Sequence, residues 1–329
     1  MRSFGRLAPA GLLALSLAAP LAPVLSARPV SAHLARRPVA VPFDGLPTVG
    51  PLYAGPVAAG DHTCTASVVH SPRRNLLLTA AHCVVGPGIG QAFVPMAHRG
   101  RAPYGTWLVI AAYADPRWVS GRDPRADYAF LTVAPQLADG VLAELEDVVG
   151  ANRLAVRAGR RPRATVVAYP IGADRPIVCA NRTYRHRGYP AFDCDGYTAG
   201  TSGGPWLRGL DRRSGTGRVF GVVGGLHQGG CFPYTSYSSP FGIGTATAYR
   251  RAALGLPPDV LPVPGSDGCP PGGAPSVRHT VAAAADRRAS LRSSAAAPPA
   301  RARNRTAIRR QARRTAAYPS SATSTKVYG

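Results

Sequence analysis

From residue 49 to about residue 256 the chain alternates short apolar runs with clusters of Gly, Pro, Asn and Asp. The runs fall at 64–69, 75–79, 106–113, 128–133, 164–169 and 218–223. Each is short, rich in Val, Thr or aromatic side chains, and bounded by turn residues, which is the pattern of strands. One stretch departs from it. Leu137, Val141, Leu142, Leu145, Val148 and Val149 recur at helical spacing and predict a helix over 137–149, near the midpoint of the strand-rich region. Many short strands without alternating helices predict an all-β fold of barrels or a sandwich.

The two ends read differently. Residues 1–32 open with a basic segment (Arg2, Arg6), continue as an apolar stretch from Leu7 to Leu25, and offer small-residue cleavage sites after Ala27 and Ala32. This is the form of a secretory signal peptide, and Pro20 and Pro23 interrupt any stable spanning helix. No later apolar run is long enough to cross a bilayer. Residues 33–48 are Pro-rich and basic, a leader or short pro-segment. Residues 257–275 are rich in Pro, Gly and Asp, and 276–329 are mostly Ala, Arg, Ser and Thr. A segment so poor in large apolar side chains cannot offset its ordering entropy. A disordered basic tail is therefore expected over 257–329, after a folded region at 49–256 that divides near residue 150.

Charge changes the picture only once it is located. The 329 residues carry a formal net charge of +23, the signature of a nucleic-acid binder if taken alone. Residues 1–32 contribute three arginines and no acid, and 270–329 contribute twelve basic residues against Asp286 alone. The remaining 24 basic and 15 acidic residues leave +9 for 33–269. Lys326 is the sole lysine, so the excess reflects a compositional bias toward Arg. With no aromatic-interleaved basic patch, no specific nucleic-acid partner is expected. Attachment of the tail to anionic cell-envelope polymers is the one electrostatic contact the charge suggests. Six cysteines (Cys64, Cys83, Cys179, Cys194, Cys231, Cys269) show no C-x-x-C pair, and an even count behind a signal peptide favours disulfides over a metal site. Neither a metal nor an organic cofactor is expected.

Three local patterns carry chemistry: Thr79-Ala80-Ala81-His82-Cys83 closing an apolar strand, Asp127 before Tyr128-Ala129-Phe130-Leu131, and Gly200-Thr201-Ser202-Gly203-Gly204-Pro205. Glycines around a serine let the backbone turn tightly, present Oγ, and aim neighbouring N–H groups at one point, as acyl transfer requires. The weakly acidic hydroxyl needs a histidine base, which in turn needs a buried acceptor.

These motifs, in the order His, Asp, Ser within an exported cysteine-bearing chain, resemble the trypsin-like (chymotrypsin-fold) serine peptidases of bacterial secreted type over about 49–256. The resemblance implies two antiparallel six-stranded β-barrels with the active-site cleft between them. It also implies Ser202 as nucleophile, His82 as general acid–base, Asp127 as the residue orienting the imidazole, and the N–H groups of Gly200 and Ser202 as the oxyanion hole. Asp123, in the turn signal Asp123-Pro124, is the competing acid. The family's cystine beside the catalytic histidine implies Cys64–Cys83. The other four cysteines leave Cys179–Cys194 with Cys231–Cys269 open against Cys194–Cys231. The implied function is a secreted, extracellular serine endopeptidase acting on protein or peptide substrates, expected to be a monomer. A catalytically silent protease-fold binding protein at the cell surface is the alternative.

Two departures from the family pattern bear on function. Thr201 stands where animal members carry the Asp that pairs with a new N-terminus after activation. Gly196 stands six residues before the nucleophile, where trypsin-type members carry Asp. Asp193 and Asp195 are close by, and His227 lies near the segment that lines the family's pocket. Asp195, Gly196, Gly224 and His227 are accordingly the specificity-pocket candidates, with a basic or an acidic preference both open.

Overall fold

All four side chains of Leu76–Thr79 are buried, so both faces of this strand need a partner surface and a single open sheet cannot supply them. The computed structural model shows how they are covered. It describes residues 37–270 except 56, 58–61, 139, 158 and 160. The expected signal segment 1–32 and the expected tail from 271 onward lie outside the described residues.

A two-residue strand β1 (Val41–Pro42) precedes β2 (Val49–Tyr53), β3 (His62–Val69), β4 (Leu76–Thr79), β5 (Ala92–Phe93), β6 (Trp107–Ala114) and β7 (Ala129–Val133). The last six close an antiparallel barrel in the order β2-β3-β4-β7-β6-β5. β2, β4 and β7 are buried throughout, whereas β6 starts with buried Trp107 and Val109 alternating with exposed Leu108 and Ile110. The barrel interior and the surrounding layers thus take up the near-continuous apolar runs seen in the sequence. Between β6 and β7 a short helix α1 (Pro116–Gly121) starts at Asp115, whose side chain accepts from the Arg117 N–H, and stops at Arg122 in the left-handed region.

The helix expected over 137–149 is corrected. A hairpin, β8 (Gln136–Ala138) and β9 (Val141–Ala143), turns at Gly140 with φ +79°, and only α2 (Leu145–Val149) is helical. Leu137, Val141 and Leu142 are exposed, so their helical spacing matches no buried face. The Asp139-Gly140 turn signal outweighed the periodicity.

The second half contains β10 (Arg153–Leu154), β11 (Arg163–Ala168), β12 (Ile177–His186), β13 (Tyr189–Asp193), β14 (Pro205–Asp211), β15 (Thr216–Val222) and β16 (Thr235–Tyr237). They form one sheet in the order β10-β15-β14-β11-β12-β13-β16, with β1 added on β12. The expectation of a second closed six-stranded barrel is therefore met only in part. Past its strand end β15 meets β16 through one backbone bond, Gly224 N–H to the Tyr237 carbonyl at 3.0 Å, which curls the sheet without completing a ladder. Phe192, Trp206 and Phe220 pack in its core, with ring centroids 5.7 and 6.3 Å apart along the series. Among the described residues no helix is long and apolar enough to cross a membrane.

Helix α3 (Ile243–Leu254) returns to the first barrel, burying Thr245, Ala248 and Ala252. Beyond it the expected start of the disordered tail at 257 is corrected. The Asp259 N–H donates to the Ala112 carbonyl at 2.9 Å, and Gly86 and Leu261 exchange two backbone bonds of 2.9 and 2.8 Å. The segment ends in Cys269, bonded to Cys231. Backbone pairing, the buried Leu261 side chain and a cross-link to a preformed surface compensate for the sparse apolar content of this Pro/Gly-rich stretch. The disulfides are Cys64–Cys83, Cys179–Cys194 and Cys231–Cys269, so the rival Cys194–Cys231 is excluded.

Candidate active site

His82 lies in the 3₁₀ turn Ala81–Cys83 that ends β4, and Cys83 is tied back to Cys64 on β3. Its ring is therefore fixed from both sides in sequence. Asp127 follows the 3₁₀ turn Pro124–Ala126 and lies two residues before the buried strand β7. The carboxylate is fully buried, a placement that costs several kcal/mol unless donors surround it. Three do. Its Oδ1 accepts from the His82 backbone N–H at 2.9 Å, and its Oδ2 accepts from His82 Nδ1 at 2.8 Å and from the Gly225 N–H at 2.7 Å. Facing a carboxylate, Nδ1 carries the proton and leaves Nε2 as the basic nitrogen. Asp123 does not compete: its side chain caps the turn before Asp127, accepting from the Arg125 N–H at 2.8 Å.

Ser202 comes from the loop before β14, between Gly200 at φ +90° and Gly203 at φ +80°. A methyl group on Gly203 would lie 2.1 Å from the Thr65 carbonyl oxygen and 2.2 Å from Thr79 Oγ1, so the loop packs directly on the strands that carry His82. Thr65 completes the junction. Its N–H donates to the Ser202 carbonyl at 2.7 Å, its hydroxyl donates to the Gly200 carbonyl at 2.9 Å, and its oxygen accepts from the Tyr169 N–H at 2.9 Å. The N–H groups of Thr201, Gly203 and Gly204 are spent on Thr198, Val223 and Thr201 carbonyls. Among the described residues those of Gly200 and Ser202 are not so used. Nor does any hydrogen bond join Ser202 Oγ to the His82 ring; the two loops meet through Gly203 and Thr65 instead. Thr201 is buried and donates from its hydroxyl to the Thr198 carbonyl at 2.6 Å, so the loop is braced internally.

The four pocket candidates separate. A Cβ on Gly224 would lie 3.1 Å from Asp127 Oδ2, which places this glycine against the carboxylate. Asp195 is exposed, and its backbone pairs with the N-terminal segment through the Pro38 carbonyl at 2.9 Å and the Ala40 N–H at 2.8 Å. Gly196 faces the Ala40 and Ile177 side chains. His227, in the turn Leu226–Gly229, has Nδ1 2.9 Å from the Asp267 carbonyl oxygen. Sequence reasoning missed Thr65, Gly225 and residues 257–269. A threonine after a cysteine and a glycine beyond a strand carry no local signal of their role, which exists only across the two halves.

A closed barrel joined to a curled sheet, with a buried His–Asp pair and a glycine-rich serine loop at the seam, is the chymotrypsin-like fold. Residues 64–222 match the model of the trypsin-like peptidase domain. Protease Anisep from Arthrobacter nicotinovorans is 25% identical, with a TM-score of 0.56 over 66% of this chain and 100% of that one. A thermostable serine protease, AL20, from an extremophilic microorganism shares the fold at 23% identity and TM-score 0.53, over 63% and 97% of the two chains. No curated protein sequence matches the chain. Residues 64–222 carry the likeness to the trypsin-like peptidase domain, and the fold is that of the chymotrypsin-like serine proteases.

Proposed function

We propose that the protein is a secreted serine endopeptidase working through His82, Asp127 and Ser202. His82 Nε2 takes the proton of Ser202 Oγ as the oxygen attacks the substrate carbonyl. The N–H groups of Gly200 and Ser202 receive the developing oxyanion. The tetrahedral intermediate then collapses to an acyl-enzyme as His82 returns the proton to the leaving amine. Water, deprotonated by the same nitrogen, releases the acid. Asp127 holds the imidazole tautomer and stabilises the imidazolium between these steps. The observation that carries this reading is the fully buried Asp127 carboxylate, bonded at once to the His82 ring and to the backbone on both sides of the seam. Three disulfides with no free cysteine among the described residues support an oxidising, extracellular setting.

The test is labelling of the purified protein with a fluorophosphonate, followed by peptide-library cleavage. Ser202→Ala is expected to abolish both labelling and hydrolysis while leaving the melting temperature unchanged. Undiminished hydrolysis by that variant would overturn the triad. Absence of labelling in the unaltered protein would favour the silent binding protein.

A further inference from the structure

Resting on the peptidase reading, we infer that the segment 261–269 walls off one end of the substrate groove, so that the enzyme selects bonds lying close to a chain end on that side. The groove is the seam itself, because Ser202 comes from the second half and His82 and Asp127 from the first. At one end it is bounded by Tyr169 and Ile171, whose backbones pack on Gly200. At the other it is bounded by the turns Pro124–Ala126 and Leu226–Gly229, which flank the Asp127 carboxylate.

The chain beyond α3 is anchored at several points around this second end. Leu261 pairs with Gly86, four residues after His82. The Val263 carbonyl accepts from Arg122 Nε at 2.6 Å, five residues before Asp127. The Gly265 carbonyl accepts from Gln228 Nε2 at 2.8 Å, three residues after the Gly225 that donates to Asp127. The Cys231–Cys269 bond then locks the far end. A strap fastened from Gly86 through Arg122 to Gln228 crosses between the two walls. Ser202 is partly open to solvent, and the side chains of His82 and Asp127 beside it are only 3% and 0% exposed. A polypeptide entering past Ser202 therefore has an open exit at the Tyr169 end and a closed one under the strap. Because the latch is covalent and the carbonyl anchors are distributed, the wall is fixed and acts on specificity.

The experiment measures kcat/KM on peptides sharing one scissile bond and lengthened by one to six residues on either side separately. In the unaltered enzyme, extension on one side is expected to leave kcat/KM level or raise it, and extension on the other to lower it by about tenfold or more. Two variants loosen the wall: Cys231→Ser with Cys269→Ser, and Arg122→Ala with Gln228→Ala, which keeps the disulfide should the first pair fail to fold. Either is expected to recover roughly tenfold on the long, disfavoured peptides while the rate on a short ester stays within about twofold. Length profiles that are equal on both sides in the unaltered enzyme, or unmoved in a folded variant, would overturn the wall. Fluorophosphonate labelling of Ser202 is read in every sample. Its absence in the unaltered enzyme would count against the peptidase reading, whereas labelling with a symmetric profile would count against the strap alone.

Discussion

At the scale of the residue, Asp127 shows how much a single buried charge organises. Its two oxygens take three N–H groups within 2.9 Å, and two of those belong to His82. Charge-assisted bonds of this length are about twice as strong as neutral ones, which offsets much of the desolvation. Asp127→Asn keeps the shape and loses the acceptor pair, so the amide must present an N–H to one of its three donors. The imidazole then settles in the wrong tautomer. Hydrolysis of a small ester is expected to fall about 10⁴-fold in kcat, with KM little changed. A loss below about tenfold would remove Asp127 from the triad. Of this arrangement, His82 and Asp127 were candidates on their motifs alone. Gly225 was not, because a backbone N–H donor has no sequence signature.

At the scale of the element, the informative case is α1. It is only six residues long, far too short to be stable alone, and is held by what its cap does elsewhere. Asp115 accepts from the Arg117 N–H at 3.0 Å and from Tyr128 Oη at 2.6 Å, so the cap also fixes the residue next to Asp127. Burial by itself would push the Asp115 carboxyl up, but its bonds from Arg117 and Tyr128 outweigh that and hold it below the usual carboxylate range. Asp115→Ala removes the cap and takes the carboxylate acceptor from the buried Tyr128 hydroxyl. Urea melts are expected to show a loss of about 2–4 kcal/mol, and Asp115→Asn is expected to recover part of it. Four strands of the first barrel, β3, β4, β6 and β7, were legible as short apolar runs between turn residues, whereas β2 and β5 were not. The hairpin at 136–143 was not, because apolar spacing reports a buried face only where burial occurs, and Leu137, Val141 and Leu142 face solvent.

At the scale of the whole molecule, stability depends on one histidine at the seam that must stay uncharged. His62 on β3 is buried, and its Nε2 lies 2.9 Å from the Tyr169 carbonyl oxygen in the second half. Burial lowers its pKa below 6.5, and the bond to the carbonyl offsets this only in part. The unfolded chain therefore takes up this proton at a higher pH than the folded one. The neutral-ring contribution is fully present above about pH 6.5, is lost as the pH falls through that value, and levels off below the depressed folded pKa. Melting temperature is expected to drop between pH 7 and 5.5 in the unaltered protein. His62→Gln, which retains a donor toward Tyr169, is expected to flatten that drop; an identical slope in both would exclude His62 as its source.

The sequence by itself determined the parts that are local: an all-β chain, a histidine, an aspartate and a serine in a fixed order, cysteines enough for disulfides, and a charge of +23 reduced to +9 over 33–269. Each rests on a composition, a short motif or a short apolar run between turn residues, all of which survive without knowledge of contacts. Tertiary structure decided which groups meet. Thr65 joins the Gly200 and Ser202 carbonyls to the first barrel, Gly225 completes the shell of Asp127, and a Pro/Gly-rich segment read as tail is latched across the seam by Cys231–Cys269. Those partners lie from 38 to about 137 residues apart along the chain. The free energy that pairs them comes from satisfying buried backbone groups at the junction of two folded halves, and no window of sequence contains both sides of that junction.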